Sequence, residues 1–222
     1  GSAMVIIGLS DIHGQILAVD RMGDILRKAD VVVLAGDITH FGDGRQAERV
    51  VQSVRRHAGC VLGVPGNCDY PGVSAYLDAE GINLHGKSRL LEGIGFAGLG
   101  GSLFTPFRTP NEHSETEVRR VLSNAEAGLA KSLPFVLVSH QPPINTRCDR
   151  IRSGKHVGSR VLRRFIETLH PVLCMTGHIH EAPGTDRIGG TWIVNPGRFG
   201  QARYAYARIE NGRVYAEVRA VA

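Results

Sequence analysis

Residues 5–37 read VIIGLSDIHGQILAVDRMGDILRKADVVVLAGD and contain two apolar runs separated by a helical pattern. The runs Val5 to Ser10 and Val31 to Ala35 are typical of buried strands. Between them, apolar residues recur at helical spacing and share one helix face, namely Ala18, Met22, Ile25, Leu26 and Ala29. A strand, a helix and a second strand in this order predict a parallel pair joined by a right-handed crossover.

The same alternation continues after residue 37. A second helical stripe comprises Ala47, Val50, Val51, Val54 and Ala58. It leads to a third apolar run, Val61 to Val64, which ends at Pro65-Gly66. The N-terminal third of the chain therefore predicts a βαβαβ unit with a parallel sheet.

The middle of the chain is less regular. Residues 74–80 predict a short helix, and the glycine-rich residues 90–99 predict either one strand or a hairpin. Residues 105–111 contain two prolines and predict a loop. Ser114 and Glu117 form a capping-box pattern that predicts a helix ending near residue 130.

After residue 134 the alternation resumes. Strands are predicted at residues 135–139, 172–176 and 191–194, and a helical stripe runs from 161 to 169, with Ser159 as a possible N-cap. Residues 141–158 predict a long polar loop. Asn211-Gly212 lies between two alternating segments and predicts a terminal hairpin.

The composition predicts an ordinary globular protein, because 42% hydrophobic and 21% charged residues supply a core without favouring disorder. No apolar run reaches the ~20 residues that span a bilayer, and no leader follows Met4, so we expect a cytoplasmic protein without a membrane partner. Residues 1–3 resemble the remnant of an expression tag, and residues 4–222 are expected to form a single domain. The four cysteines form no C-x-x-C pair, which argues against a thiolate zinc site and against disulfides.

Five polar motifs each follow one of the predicted strands. They are Asp11-Ile-His13, Gly36-Asp37, Gly66-Asn-Cys-Asp69, Ser139-His-Gln-Pro-Pro143 and Gly177-His-Ile-His180. In open α/β sheets, loops at the carboxyl ends of neighbouring strands converge on one site. Carboxylate and imidazole ligands suit first-row divalent metals, and the motifs hold more of them than one ion needs.

The order of these motifs resembles that of the calcineurin-like metallophosphoesterases over residues 5–197. The resemblance implies an α/β fold, a four-layer α/β/β/α sandwich of two mixed sheets flanked by helices. It implies one metal held by Asp11, His13 and His180, a second held by Asn67, His140 and His178, and Asp37 bridging both. It also implies catalytic roles for Asp37, Asn67, His140 and Asp69. Asp69 is expected either to orient a histidine, as the family's matching acid does, or to stabilise a turn.

Two divalent ions in such a centre activate a bridging hydroxide and stabilise the attacking and leaving oxygens of a phosphoester. The mixed nitrogen and oxygen ligands accept manganese, iron, zinc or nickel. We expect His13 and His180 each to donate the other ring N–H to an acceptor outside the metal shell. The formal charge of +5 fits an anionic substrate, although a basic surface without any partner explains it equally.

Cys68 departs from the common family pattern, in which a histidine at this position protonates the leaving oxygen or binds phosphate. A thiol is a poor proton donor near neutral pH, and esters with poor leaving groups suffer most from the loss of a general acid. The G-N-C-D motif also resembles that of a prokaryotic, phosphodiesterase-like branch. Cys68 is expected to contact the substrate or, alternatively, to be a small residue that only fills space. We therefore expect a phosphodiesterase acting on a small phosphodiester; a phosphomonoesterase, a protein phosphatase, a nuclease and a non-catalytic scaffold remain alternatives.

Weaker signals lie in the loop after His140. Arg147 and neighbouring basic residues either bind the substrate or form a solvated surface, and His156 belongs to a segment that resembles one in the same branch, so it is expected to reach the substrate. His40 follows the Asp37 motif and is a candidate for a supporting role. Aromatic residues amount to only 6% of the chain, which gives little sign of a stacking surface, so nucleic acid is expected at most as a substrate.

Overall fold

The computed structural model describes residues 2–222, and within them two β-sheets form the centre of the protein. The predicted tag remnant begins at Gly1, which lies outside the described residues. The first sheet has the order β13-β12-β1-β2-β3 and contains β1 (Met4–Leu9), β2 (Val31–Ala35), β3 (Val61–Val64), β12 (Arg203–Glu210) and β13 (Arg213–Ala220). The parallel pairing of β1, β2 and β3 confirms the βαβαβ prediction.

The second sheet has the order β10-β11-β9-β8-β5-β4. Its strands are β4 (Ser88–Leu91), β5 (Ile94–Leu99), β8 (Phe135–Ser139), β9 (Leu173–Met175), β10 (Gly184–Ile188) and β11 (Thr191–Asn195). Strands β4 and β5 form the hairpin that was one of the two alternatives for residues 90–99. A small separate sheet pairs β6 (Ser102–Leu103) with β7 (Glu112–His113).

Within the part of the chain that the structure describes, six helices flank the two sheets. They are α1 (Ile16–Arg21), α2 (Gly23–Arg27), α3 (Gly44–Arg55), α4 (Pro71–Ala79), α5 (Glu115–Ala127) and α6 (Arg160–Leu169). The single helix predicted around Met22 is divided in two at that residue. A short 3-10 helix spans Phe199–Gln201.

Side chains alternate between the two faces of each strand, so each sheet contributes to two cores. Ile6 and Val33 of the first sheet pack with Phe96 and Val138 of the second, which joins the sheets face to face. The opposite face of the first sheet packs against α1 to α4, and the opposite face of the second packs against α5 and α6. This arrangement confirms the α/β/β/α sandwich.

The helix ends show how local chemistry sets the chain path. Ser114 accepts the backbone N–H of Glu117, as predicted, but the Glu117 carboxylate contacts His113 instead of closing the capping box. A complete capping box occurs at Asp43 and Gln46, where α3 begins. The Ser159 hydroxyl caps α6 by accepting the N–H of Leu162. Among the described helices, none is long and apolar enough to span a membrane.

Candidate metal centre

The polar motifs after β1, β2, β8 and β9 meet between the carboxyl ends of the two sheets. One ligand atom from each of Asp11, His13, Asp37 and His180 lies within 4.8 Å of the others. Asp11 is fully buried and Asp37 is only 2% exposed. Because two buried carboxylates repel each other unless a cation lies nearby, this cluster fits a divalent metal ion.

The backbone at these motifs adopts the left-handed region, which most residues avoid. The φ angle is +54° at Asp11, +48° at His13, +47° at Asp37 and +69° at His178. Asp and His enter this region more readily than bulky residues do, but each such residue still costs about 1–2 kcal/mol. Strained residues of this kind concentrate at functional sites.

Backbone hydrogen bonds hold the first two motifs together. The N–H of Asp11 donates to the carbonyl of Gly36 at 3.1 Å, and the N–H of His13 donates to the carbonyl of Asp37 at 2.9 Å. Gly36 has φ +88° and lies against the His140 ring, which would overlap a Cβ atom at this position. Glycine is therefore required there both by the backbone angle and by the close approach of the histidine.

The Asp11 carboxylate is the most heavily contacted group of the first cluster. Its Oδ1 lies 3.0 Å from Nε2 of His180, and its Oδ2 accepts the Ser10 hydroxyl at 2.7 Å and the His178 backbone N–H at 3.2 Å. The contact with Asp11 raises the pKa of His180. The site thus attracts positive charge at this position, either a proton or a metal ion.

His13 contacts the same cluster through Nε2, which lies 3.8 Å from Oδ2 of Asp37. Burial lowers the pKa of His13, which favours the neutral ring that binds metal. The other ring nitrogen, Nδ1, is buried and finds no hydrogen-bond partner within residues 2–222. The expected outer acceptor for His13 is therefore not found.

A second group of candidate ligands lies on the other side of Asp37. Nδ1 of His140 donates to the carbonyl of Ala35 at 2.8 Å, so in the neutral ring Nε2 is an acceptor. This Nε2 lies 2.8 Å from Oδ1 of Asn67, whose amide nitrogen donates to the Thr109 hydroxyl at 2.9 Å. Two acceptors facing each other at this distance require a proton or a cation between them.

The electrostatics of His140 agree with that geometry. Burial lowers the pKa of His140, but the neighbouring Asp37 carboxylate outweighs burial and raises the pKa to about 9. Burial raises the pKa of Asp37 in turn, and the adjacent His140 more than offsets it, so that the pKa of Asp37 falls below its usual value. Asp37 thus remains ionised next to a histidine that attracts positive charge.

Asp37 contacts both groups of candidate ligands. Its Oδ2 lies 3.8 Å from His13 and 3.4 Å from Nε2 of His140, while Oδ1 accepts the backbone N–H of Cys68 at 2.9 Å. His178 also lies on the second side, with its ring centroid 5.0 Å from that of His140. Burial and the neighbouring His140 lower the pKa of His178 to about 4, which keeps that ring neutral.

Asp69 contacts backbone groups rather than a histidine. Its carboxylate accepts the N–H groups of Ile38, Thr39 and Gly66 and the Thr39 hydroxyl at 2.6–3.2 Å. These contacts disagree with the expectation that Asp69 orients a histidine and agree with the alternative of a turn-stabilising role. Burial and the nearby Asp37 raise the pKa of Asp69 to about 6.

Cys68 lies beside the centre and is half-buried. Burial, followed by the Asp37 carboxylate, raises the pKa of its thiol well above the ordinary value. The thiolate is therefore disfavoured, and a thiol of this acidity is a weak proton donor as well.

The loop after His140 is anchored to the ligand-bearing segments. The Gln141 amide donates to the carbonyl of Val157 at 3.2 Å, and the N–H of Arg152 donates to the Glu181 carboxylate at 3.1 Å. Within this loop, Nδ1 of His156 lies 2.5 Å from the fully buried Asp149 carboxylate. That carboxylate also accepts the N–H groups of residues 145, 146 and 158.

The loop residues predicted to bind substrate are thus fixed to different degrees. The His156 ring is one-third exposed and is held by Asp149 through one nitrogen, which leaves Nε2 for another partner. Arg147 is held through its backbone N–H, which donates to the Asp186 carboxylate at 2.8 Å. Neither residue belongs to the four-residue cluster around Asp11.

Some supporting residues have no sequence signal. Asn195 donates to the carbonyls of Ile179 and Ala182 at 3.0 Å and thereby fixes the turn that carries His180. In the sequence, Asn195 directly follows the strand predicted at residues 191–194, and that position does not indicate these two contacts. Thr109 lies in a stretch without periodicity, so its contact with Asn67 was not predicted. His40 packs edge-on against His13, with ring centroids 5.4 Å apart, at the position expected for a supporting residue.

The sequence matches the Calcineurin-like phosphoesterase superfamily domain over residues 4–212. It is 41% identical over 198 residues to the protein MJ1162 of Methanocaldococcus jannaschii, a match that covers 87% of this chain and 88% of that protein.

Solved structures share the fold at lower sequence identity. The protein TT1561 of Thermus thermophilus has a TM-score of 0.75 and 18% identity, with complete coverage of both chains. A dimetal phosphatase from Danio rerio has a TM-score of 0.66 and 14% identity, covering 99% of this chain and 96% of its own.

Proposed function

Because this chain belongs to the calcineurin-like phosphoesterase superfamily, whose members are metal-dependent phosphoesterases, we propose that it hydrolyses phosphodiesters with a centre of two divalent metal ions. The observation that supports this most directly is the position of Asp37. Its buried carboxylate contacts a candidate ligand on each side, His13 on one and His140 on the other. A carboxylate has two oxygens and is suited to hold two ions at once.

The proposed ligands fall into two sets that share Asp37. The first set consists of Asp11, His13 and His180, and the second of Asn67, His140 and His178. The opposed acceptors of Asn67 and His140 support the second set, since a cation bound by both as adjacent ligands offsets their repulsion. Manganese is our first choice for reconstitution, and iron, zinc and nickel suit the same nitrogen and oxygen ligands.

When bound, the two ions lower the pKa of water and neutralise phosphoryl charge. The protein's own groups then orient the reaction. Ala35 fixes the tautomer of His140, and Thr109 fixes the amide of Asn67. Asp69 joins the loops that carry Asp37 and Asn67, so its contribution to catalysis is to position both. His156 and Arg147 are proposed to contact the phosphoryl group from the loop after His140.

The preference for diesters rests on Cys68. A monoester with an alkyl leaving group needs a proton at the departing oxygen, and a thiol supplies it poorly. A phosphomonoesterase is the second candidate, and the His156 ring favours it. If Nε2 of that ring reaches the leaving oxygen, the doubly protonated ring would supply the proton that Cys68 does not, while Nδ1 keeps its hydrogen bond to Asp149.

Hydrolysis of bis-p-nitrophenyl phosphate and p-nitrophenyl phosphate, with Mn²⁺ and with a chelator, tests the proposal. We expect metal-dependent turnover with a higher kcat/KM for the diester. Asp37→Asn should lose both metal occupancy and turnover, whereas Asp24→Asn, at an exposed position on α2, should retain both. Preference for the monoester would favour the second candidate. Bound metal without turnover of either ester would refute the hydrolase proposal for these substrates.

A further inference from the structure

Exposed aromatic side chains are concentrated around the candidate metal centre. Within residues 2–222, seven large hydrophobic side chains are exposed, and four of them are aromatic residues on loops adjoining the centre. We call these four the aromatic rim: Phe41, Tyr70, Phe104 and Phe107. Exposed apolar groups gathered in one region mark binding sites more often than isolated ones do.

The first two members of the rim adjoin the candidate ligands directly. Phe41 packs on His40 with ring centroids 5.1 Å apart, and His40 packs on His13. Tyr70 follows the motif that carries Asn67, and its N–H donates to the carbonyl of Gly42 at 3.1 Å. This hydrogen bond places the loops that bear Phe41 and Tyr70 side by side.

The other two members lie on residues 104–111, which contact Asn67 from the opposite side. Thr109 accepts the Asn67 amide, and the N–H of Asn111 donates to the Asn67 carbonyl at 3.0 Å. A cavity of about 180 Å³ lies between this segment and the helix start at Tyr70. The segments that bear the rim therefore both adjoin the Asn67 motif.

The loop that presents Phe107 is held in one conformation. The Glu112 carboxylate accepts the hydroxyls of Thr105 and Thr109 at 2.6 Å and the N–H of Thr109 at 2.9 Å. The N–H of Phe107 donates to the Thr105 hydroxyl at 3.2 Å, yet the Phe107 side chain is 85% exposed. An ordered loop that holds an aromatic ring in water provides a preformed contact at little cost in conformational entropy.

We propose that the aromatic rim binds an aromatic substituent of the phosphodiester substrate, with a nucleobase as the chemical class. This inference rests on the proposed function, because the phosphorus atom must lie at the metal centre for its substituent to reach the rim. Rings with exposed faces suit stacking, which every nucleobase permits. The small overall number of aromatic residues does not oppose this, because four of the exposed rings belong to segments that adjoin the motifs of Asp37 and Asn67.

Two diesters with the same leaving group test the proposal. Thymidine 5′-p-nitrophenyl phosphate carries a base and its deoxyribose where methyl p-nitrophenyl phosphate carries a methyl group, so the loss of preference in the aromatic variant below is the measure of ring stacking. We expect the wild type to prefer the thymidine ester by kcat/KM. Phe104→Ala combined with Phe107→Ala should lower that preference about tenfold. Leu90→Ala, at an exposed apolar position on the β4 hairpin, should leave it unchanged. An equal loss for both esters, or an unchanged preference, would overturn the proposal.

Binding separates this proposal from the proposed function. Calorimetry on the Mn²⁺-loaded protein compares thymidine 5′-monophosphate with methyl phosphate and needs no turnover. The rim is supported if the wild type binds the thymidine compound more tightly and the double variant does not. This holds even if neither diester is hydrolysed. Equal affinity for the two phosphates would refute the rim, even if the protein proves to be a phosphodiesterase.

Discussion

Thr109→Val should weaken metal binding although Thr109 is not a proposed ligand. Its hydroxyl accepts the Asn67 amide at 2.9 Å and donates to the Glu112 carboxylate at 2.6 Å. Valine keeps the shape of the side chain and removes both contacts, so the Asn67 amide is free to rotate its oxygen away from His140. Loss of a group that orients a metal ligand typically lowers affinity about 10- to 100-fold.

This loss translates into a measurable change in stability. At a fixed, saturating concentration of Mn²⁺, an affinity lower by 10- to 100-fold removes about 1.4–2.7 kcal/mol of metal-induced stabilisation. The metal-free protein should also lose about 2–4 kcal/mol, because the substitution removes one neutral hydrogen bond and one hydrogen bond to a carboxylate. Urea unfolding with and without Mn²⁺ separates the loss of metal-induced stabilisation from the loss of stability in the metal-free protein. Calorimetry gives the affinity for Mn²⁺ directly.

A matched control comes from Thr168, whose hydroxyl donates to the carbonyl of Arg164 on the exposed side of α6. Thr168→Val should leave the difference between metal-free and metal-loaded stability unchanged. If Thr109→Val binds Mn²⁺ as tightly as the wild type, then Asn67 does not need its amide partner. The reasoning from opposed acceptors to a second metal would then fail.

Three further predictions concern single residues. Cys68→His should raise the ratio of kcat/KM for the monoester to kcat/KM for the diester about tenfold or more, whereas the control Cys68→Ser should not. An unchanged ratio in Cys68→His would count against the role given to this position. His156→Asn keeps a donor for Asp149 but lacks Nε2, so kcat/KM should fall about 10- to 100-fold while the melting temperature stays unchanged. The control is His170→Asn, which should change neither quantity. His170 ends α6 in the left-handed region, a conformation that asparagine tolerates. Burial and the stacked His113 lower the pKa of His85 to about 4, so only the unfolded chain takes up a proton between about pH 6.5 and 4. The stability contributed by the neutral ring is then present above about pH 6.5 and falls by about 2–3 kcal/mol as the pH drops toward 4.5. Urea unfolding of His85→Asn should therefore show a shallower dependence on pH.

The strands and helices of the N-terminal third could be predicted because their signals are local. The apolar runs of β1, β2 and β3 and the stripe of α3 follow from neighbouring residues alone. Strand β10 (Gly184–Ile188) escaped prediction because it is largely half-exposed and polar, with one buried residue, Ile188. Pairing with β11 stabilises β10 through backbone hydrogen bonds. Backbone pairing does not require an alternation of apolar and polar residues, so the sequence of β10 carries no strand signal.

The candidate ligands could be gathered from the sequence because parallel strands end at a common edge. That rule brings Asp11 and Asp37 together, because β1 and β2 are parallel neighbours in the first sheet. His140 follows β8 of the second sheet, about 130 residues after Asp11, and lies near them because the two sheets pack face to face. The groups that orient them follow no such rule. Thr109 reaches Asn67 from a loop, and Asp69 bonds to backbone N–H groups some 30 residues away. Polar contacts of this kind depend on the finished fold, so the histidine-orienting role expected of Asp69 had only the family pattern behind it.

The strained backbone of the centre explains why its motifs depend on each other. Asp11, His13 and Asp37 all lie in the left-handed region, and each such residue costs about 1–2 kcal/mol. The bonds from Asp11 N–H to Gly36 and from His13 N–H to Asp37 offset part of that cost, and they join the first motif to the second. A change that relaxes one motif therefore releases the other. For this reason, a substitution that distorts the backbone at Gly36 should weaken binding at both proposed metal sites together, as calorimetry with Mn²⁺ would measure, although Gly36 itself offers no ligand.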